Sequence, residues 1–251
     1  GDVGLRIHGN ASRILPQKSL RLYDQGGGGG PGLAYPFFPE REAEAYESLI
    51  LRNSGQDWFA HGPTMLRDGC LQRLLGEMDF EHQAYRPTVA YVNGEYWGIH
   101  NAMEHIDLPY LAGLFGVEEE ATDLLETKET NETASAEAYK EMLQYMREHD
   151  LAQEEPYRYV QTRMDVVSYA DYIVAETFLA NGDWPGNNVD LWRKKTGWNP
   201  LAPQGHDGRW RWIMSDLDFA ALPGTVDRDM IEWLMEPTPR WPRPAWSIEL
   251  I

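Results

Sequence analysis

Two polar motifs in the second half of the chain contain the residue types that phosphoryl transfer requires. Asn181-Gly-Asp-Trp-Pro-Gly-Asn-Asn188 places Asp183 and Asn188 at D-x-x-x-x-N spacing, and Trp212-Ile-Met-Ser-Asp-Leu-Asp218 ends an apolar run at carboxylates. One carboxylate could accept the proton of an attacking hydroxyl, while an amide oxygen and a second carboxylate could hold magnesium against a triphosphate. The spacing favours Asp183 as the base and Asn188 as a metal ligand.

Each motif also has a simpler explanation. Asp, Asn and Gly are common in turns, so Asp183 and the two asparagines could serve only local hydrogen bonds. If the strand continued, Asp216 and Asp218 would lie on one face and could share a cation, but both could equally be solvated acids at a strand end. A D-x-D sequence also occurs in metal-dependent glycosyltransferases, so the motif alone does not name the reaction.

A basic segment at the start of the chain could bind phosphate. His8-Gly-Asn-Ala-Ser-Arg13 lies between two predicted strands, and the backbone N–H groups of its small residues could face an anion. Lys18 on the next strand could reach the phosphates, and Glu104 is a candidate partner that would hold Lys18 in place. The alternatives are a basic sheet edge that limits aggregation and, for Glu104, an exposed acid at the start of a helix.

Composition limits the class of partner. The chain has 251 residues, of which 42% are hydrophobic and 25% are charged, so it can fold around a sizeable core. Its formal net charge of −18 makes nucleic acid and anionic lipid poor partners, whereas a basic or metal-bridged partner is compatible. No apolar run reaches the length of a membrane span, and no cysteine or histidine spacing indicates a zinc site.

The pattern of elements predicts an α+β fold with a cleft between two lobes. Strands are predicted at 3–7, 19–23, 48–53, 88–92, 95–101, 189–193 and 209–215, and helices at 63–76, 135–149 and 165–179. Asn93-Gly94 predicts a tight hairpin turn. The expected division is a strand-rich lobe at 1–105, with a flexible glycine-rich loop at 24–39, and a helical lobe at 106–251. Because the chain opens without Met and stops at Ile251, we expect an excised, C-terminally truncated fragment.

The sequence also predicts which side chains are buried. Cys70 is expected to be a buried thiol in the first helix, and the apolar residues of 165–179, including Val167, Val174 and Phe178, are expected to face the core. Five tryptophans fall on or beside predicted strands or turns, where core packing is their usual role: Trp97, Trp184, Trp192, Trp210 and Trp212. Four residues are expected to form ion pairs between the lobes, without a chemical role: Arg52, Asp57, Arg67 and Asp68.

These motifs together resemble the spore-coat protein H (CotH) kinase family, whose members have an atypical protein-kinase-like fold. The matching segments occur in family order along nearly the whole chain. They are Arg6-Ile-His-Gly-Asn-Ala-Ser-Arg13 with Pro16-Gln-Lys-Ser-Leu-Arg-Leu22, Leu51-Arg-Asn53 with Asp57, Tyr91-Val-Asn-Gly-Glu-Tyr-Trp-Gly98 with Glu104 and Asp107, Asn181-Gly-Asp183 with Asn188, and Trp212-Ile-Met-Ser-Asp-Leu-Asp218.

The resemblance implies a kinase that uses ATP and magnesium, or manganese in its place, to phosphorylate Ser or Thr of a protein substrate. Asp183 falls at the catalytic aspartate of the family, and Asn188, Asp216 and Asp218 fall at metal-binding positions. The phosphate-contacting residues would be Asn10, Ser12, Arg13 and Lys18, with Glu104 as the partner of Lys18. By the same analogy, the protein is expected on spores, at the cell surface or outside the cell.

Two other functions stay open from the sequence alone. A non-catalytic surface protein could keep the kinase-like fold and use exposed aromatic residues for adhesion. A D-x-D glycosyltransferase would use a sugar nucleotide with manganese instead of ATP.

Overall fold

The computed structural model describes residues 3–24, 33–59, 62–126 and 134–235. Eleven strands occur in these ranges: β1 Val3–His8, β2 Ser19–Asp24, β3 Leu33–Ala34, β4 Ala45–Tyr46, β5 Ser48–Arg52, β6 Glu81–His82, β7 Tyr85–Val92, β8 Glu95–Glu104, β9 Thr122–Glu126, β10 Asp190–Lys194 and β11 Arg211–Met214. Six α-helices occur there: α1 Arg67–Leu74, α2 Leu108–Phe115, α3 Ala134–Glu148, α4 Glu154–Gln161, α5 Val166–Phe178 and α6 Met230–Met235. The predicted α+β class is confirmed.

The first sheet is antiparallel throughout, with the strand order β1-β2-β5-β8-β7. The hairpin between β7 and β8 turns at Asn93 and Gly94, whose φ angles of 52° and 83° suit the tight turn that this dipeptide favours. The prediction of this hairpin and of the strands at 3–7, 19–23 and 48–53 is confirmed.

The second sheet has the order β6-β11-β10-β9. Strands β10 and β11 are antiparallel, with Asp190 opposite Ile213, so the start of β10 lies beside the end of β11. The loop before β10 and the turn after β11 therefore meet at the same end of these two strands. Strand β9 is an addition, since the sequence analysis predicted no strand at these residues.

The largest core lies where α3, α4 and α5 pack against the second sheet, and it contains Trp184, Trp210 and Trp212. Trp192 is also buried, in a smaller cluster with Ile213. Core packing is therefore the role of four of the five tryptophans considered above. Trp97, in contrast, is 40% exposed on β8.

Helix α1 buries the side opposite to the predicted one. Cys70 is exposed and Leu74 is 71% exposed, while Arg67, Asp68 and Gln72 are buried. The prediction of a buried thiol is wrong because the polar face of this helix finds ion-pair partners inside the protein. Helical periodicity located the helix but not its buried side.

Helix α5 also differs in part from the predicted burial. Phe178 is 83% exposed, and Val167 and Val174 are also exposed, whereas Tyr172 and Glu176 are buried. The expected burial is therefore wrong for these three residues, whereas Val166 and Ile173 pack against the core and the helix itself is confirmed. The buried polar face lies beneath the loop that begins at Asn181.

Part of the predicted glycine-rich loop at 24–39 is structured. Phe38 is completely buried in a cluster with Leu33 and Leu49, so a flexible surface loop is wrong for residues 33–39. Residues 25–32, which include the glycine run, lie outside the described residues. In the described part of the chain, no helix combines the length and apolarity that a membrane crossing needs. The division at residue 105 stays a prediction.

A buried ion pair holds the segment before α1. Asp57 is completely buried; it accepts hydrogen bonds from the Thr64 backbone N–H at 3.0 Å and from the Thr64 hydroxyl at 2.7 Å, and it pairs with Arg67 Nη1 at 3.1 Å. We expect Asp57→Ala to lower the free energy of unfolding by about 3–5 kcal/mol, since it leaves Arg67 buried without its partner. The exposed pair Glu154–Arg158 supplies the control, and Glu154→Ala should cost less than about 1 kcal/mol in urea unfolding. Equal losses would show that Asp57 contributes no more than a surface acid.

Candidate active site

A cavity of about 390 Å³ lies where the loop before β10 meets the turn after β11. Five of the residues singled out from the sequence line it: Asn10, Ser12, Asp183, Asn188 and Asp216. The candidate base Asp183 and two of the three candidate metal ligands, Asn188 and Asp216, therefore line one shared cavity, although they are far apart in the sequence; Asp218 is not among its described lining residues.

The loop from Asn181 to Asn188 connects α5 to β10 and is fixed at its start. The Asn181 Oδ1 accepts a hydrogen bond from the Asp183 backbone N–H at 3.2 Å, and the Gly182 N–H donates to the Phe219 carbonyl at 3.3 Å. The second bond ties this loop to the turn after β11. The loop also contains a cis peptide bond between Trp184 and Pro185.

Asp183 is held by two amide groups of its own loop. Its Oδ2 accepts hydrogen bonds from Asn187 Nδ2 at 3.1 Å and from Asn188 Nδ2 at 3.2 Å. Because the Asn188 nitrogen is used in this way, its amide oxygen is the atom that could bind a cation. This arrangement combines the local turn bonds expected from the simpler explanation with a carboxylate that faces the cavity.

The apolar strand before Asp216 ends at Met214, so the continuation that would have aligned Asp216 and Asp218 does not occur. Asp216 instead adopts a left-handed conformation with φ 56°, and residues 217–219 form a short 3₁₀ helix. The two carboxylates converge nonetheless, because both bind Arg52 Nη2, with Asp218 Oδ2 at 3.0 Å. The cation that they share here is this guanidinium.

Arg52 also contacts a third carboxylate. Its Nη1 lies 3.2 Å from Asp68 Oδ2, so one guanidinium serves Asp68, Asp216 and Asp218. Burial alone would lower the pKa of Arg52, but the charges of the three carboxylates raise it well above its ordinary value. Arg52 therefore stays charged. It is also the only arginine or lysine among the described residues that line the cavity.

The two buried acids of this cluster resist ionisation. Burial raises the pKa of Asp218 well above its ordinary value, and the charge of Asp216 adds to this effect while Arg52 opposes it. Burial likewise raises the pKa of Asp68, against the lowering effect of Arg52. Asp216 is more accessible, with 28% of its side chain exposed, and is the member of the cluster that lines the cavity.

The backbone approaches this cluster closely at Gly55. This residue has φ 53°, and a Cβ atom there would collide with the Asp218 carboxylate. The next residue, Gln56, donates its backbone N–H to Asp218 Oδ2 at 2.9 Å. Gly55 is therefore required both by its conformation and by the space that Asp218 occupies.

The oxygen atoms around the cavity suit a hard divalent cation. The Asn188 amide oxygen and the Asp216 carboxylate face the cavity, and the buried Asp218 Oδ1 has no hydrogen-bond partner. Magnesium needs only one or two protein carboxylates beside water and phosphate oxygens, so this donor set fits it. Among the described residues, no group of three Asp, Glu, His or Cys side chains forms a metal site by itself.

The structure places two of the four predicted phosphate-contacting residues at the cavity. Asn10 and Ser12 line the cavity, but Arg13 and Lys18 are not among its described lining residues. The Arg13 guanidinium donates to the Ile7 carbonyl at 3.1 Å, and the Lys18 ammonium donates to the Arg13 carbonyl at 2.7 Å. Phosphate binding by Arg13 and Lys18 stays a prediction.

The predicted pair between Lys18 and Glu104 is replaced by another pair. Arg41 donates three hydrogen bonds of 2.8–3.1 Å to the Glu104 carboxylate, which also accepts the Ala84 backbone N–H at 2.7 Å. Glu104 lines a separate cavity of about 510 Å³ together with Arg41. The sequence did not reveal this partner because Arg41 follows the glycine-rich segment, where no chemistry was expected.

Sequence reasoning missed the importance of Arg52. It expected Arg52, Asp57, Arg67 and Asp68 to form ion pairs, which they do, but it gave Arg52 no place at the site. A signal was available, since Leu51-Arg-Asn53 is one of the segments that carry the family resemblance. The sequence does not show that Arg52 forms hydrogen bonds with Asp216 and Asp218, which lie more than 160 positions away.

Residues 5–245 match the family model described as CotH kinase protein. The chain therefore belongs to the CotH kinase family. No curated protein gives a significant match to it.

Removal of the shared cation tests the electrostatic description of the cluster. Arg52→Met should lower the free energy of unfolding by about 3–5 kcal/mol near neutral pH, because it leaves buried carboxylates uncompensated. The substitution should raise the folded-state pKa of Asp68 and Asp218 further above their unfolded values. Stability is then lost as the pH rises from the unfolded pKa to the folded pKa of these acids. The loss should therefore be smaller at about pH 4.5 than at about pH 7.5, as measured by urea unfolding.

Arg158→Met, in an exposed ion pair, is the matched control and should show little loss at either pH. An Arg52→Met loss that is the same at both pH values would contradict the conclusion that Arg52 opposes the rise in the pKa of Asp68 and Asp218.

Proposed function

We propose that this chain is an atypical protein kinase that transfers the γ-phosphoryl group of ATP to Ser or Thr of a protein substrate in a magnesium-dependent reaction. The observation that carries the proposal is that Asp183, Asn188 and Asp216 line one cavity together with Asn10 and Ser12. Membership of the CotH kinase family supports the same conclusion.

Asp183 is the candidate for orienting or deprotonating the acceptor hydroxyl. The two amide hydrogen bonds to its Oδ2 fix the orientation of a carboxyl group that lines the cavity. Phosphoryl transfer depends largely on positioning and charge stabilisation, so a carboxylate held in this way suits the reaction.

Asn188, Asp216 and Asp218 are the candidates for holding magnesium. When bound, magnesium would neutralise the charge of the triphosphate and so favour phosphoryl transfer. Asp216 would contribute the accessible carboxylate, and the charge of Arg52 opposes the rise in the pKa of the neighbouring Asp218. Arg52 also lines the cavity, where its positive charge would favour the triphosphate.

The phosphates of the nucleotide would lie near the loop of Asn10 and Ser12. This loop follows β1 of the first sheet, whereas Asp183 and Asp216 belong to the second sheet and its connections. We propose that the two sheets belong to the two lobes of a kinase-like fold and that nucleotide binds between them. The net charge of −18 favours a basic acceptor protein.

The adhesion protein and the glycosyltransferase remain the alternatives, and ligand-induced stabilisation separates all three. We expect ATP to raise the melting temperature only when magnesium is present, because ligand that binds the folded state stabilises it. Stabilisation by a sugar nucleotide with manganese, and not by ATP, would favour the glycosyltransferase. An unchanged melting temperature with every combination of nucleotide and metal would favour adhesion.

Replacement of the candidate base tests the assigned chemistry. Asp183→Asn should lower kcat by at least about 100-fold while ATP affinity changes little, since the lost group acts on the acceptor and not on the nucleotide. Transfer of labelled phosphate to a mixture of basic and acidic polypeptides provides the rate, and calorimetry provides the ATP affinity. Glu141→Ala, at an exposed position of α3, is the control and should leave both values unchanged. Near-normal transfer by Asp183→Asn would exclude Asp183 as the base.

A further inference from the structure

Glu176 of α5 is completely buried beneath the loop that contains Asp183, and the proposed reaction gives it no role. Glutamate is rarely buried in this way without a charged or polar partner. Neither of its carboxyl oxygens has a hydrogen bond of ordinary geometry among the described residues, and neither has the Asn181 Nδ2. The Asn181 amide nevertheless lies close enough to lower the pKa of the Glu176 carboxyl.

One side of Glu176 leads to the start of the loop. The Asn181 backbone N–H donates to the Glu176 carbonyl at 3.2 Å, which holds Asn181 next to this end of the helix. The Asn181 Oδ1 in turn accepts the Asp183 backbone N–H at 3.2 Å. Asn181 therefore connects the buried carboxyl to the backbone of the candidate base.

The other side of Glu176 leads to the end of the loop. Tyr172 lies one helical turn earlier on α5, and its hydroxyl donates to the Asn188 carbonyl at 3.2 Å. Because a tyrosine hydroxyl has only one proton and Asn188 receives it, the Tyr172 oxygen can accept a hydrogen bond from a neighbouring donor. A Glu176 carboxyl that carries a proton can donate to this oxygen, whereas an ionised carboxylate cannot.

The electrostatics favour that neutral form. Burial raises the pKa of Glu176 to about 8, and the charges of Asp183 and Asp216 also raise it, against the effects of Asn181 and Tyr172. Near pH 7 the carboxyl group is therefore mostly protonated. It can then donate to Tyr172 and accept from the Asn181 amide at the same time.

We propose that Glu176 is a positioning residue, a neutral buried acid that bridges Asn181 and Tyr172 and thereby fixes both Asp183 and Asn188. It touches neither substrate nor metal. It acts through the two ends of the loop, and its relevance to catalysis rests on the proposed function of Asp183 and Asn188.

Two substitutions distinguish bridging from simple space-filling. Glu176→Gln keeps one donor and one acceptor at the same place, whereas Glu176→Leu keeps the volume and removes both. Val160→Ala, on α4 in the largest core, is the control for loss of stability alone. Amide hydrogen exchange of residues 181–188 reports the positioning of the loop without requiring activity.

We expect Glu176→Leu to speed exchange at the Asp183 amide at least about tenfold and to lower kcat about 100-fold with a smaller change in KM. Glu176→Gln should resemble the wild type in both measurements, and Val160→Ala should leave kcat and exchange at the loop unchanged. Exchange and kcat for Glu176→Leu that match those of Val160→Ala would overturn the proposal. If the wild type shows no kinase activity, the proposed function fails, and the exchange data still decide the role of Glu176.

The protonation state has its own test. The folded-state pKa of Glu176 lies above its unfolded value of about 4.5, so its favourable contribution is complete below about pH 4.5 and is lost as the pH rises towards about 8. Glutamine does not titrate. We therefore expect Glu176→Gln to gain stability relative to the wild type between about pH 5 and about pH 8 in urea unfolding. If the difference in stability between Glu176→Gln and the wild type does not change over this pH range, the Glu176 carboxyl group is not the neutral form proposed.

Discussion

The contact on which the structure depends most is that of Arg52 with Asp68, Asp216 and Asp218. Arg52 ends β5 of the first sheet, Asp68 lies on α1, and the other two acids follow β11 of the second sheet. Three buried or half-buried carboxylates could not ionise together without a compensating cation, because the desolvation cost would be too high. One guanidinium therefore joins the two sheets and determines where Asp216 faces the cavity.

The Arg52 cluster links the stability of the fold to the candidate active site. If all three carboxyl groups were ionised, their charge would exceed that of one guanidinium, and this repulsion contributes to the raised pKa of Asp68 and Asp218. A divalent cation beside Asp216 would meet a group that is already oriented, which reduces the reorganisation needed on binding. The same repulsion between the acids makes the cluster dependent on Arg52.

The sequence predicted local elements well and buried faces poorly. The Asn93-Gly94 hairpin and helix α5 follow from turn chemistry and periodicity within a few residues, and Asp183 was found from its spacing to Asn188. The buried face of α1 and part of that of α5 were wrong because periodicity assumes that buried residues are apolar. Glu176 is buried because Asn181 and Tyr172 surround it, and Arg52 because acids distant in the sequence surround it. Such partners appear only when the chain is folded.

Backbone conformation adds a second constraint at the site. Asn188 and Asp216 have φ angles of 58° and 56°, and Ala180 and Ala221 beside them are also left-handed. Asn and Asp tolerate this conformation better than most residues, so the backbone and the proposed metal chemistry favour the same residue types at both positions. An alanine substitution at Asp216 would change charge and conformational preference together. Asparagine keeps the preference and removes the charge, so only Asp216→Asn separates the role of the carboxylate from that of the turn.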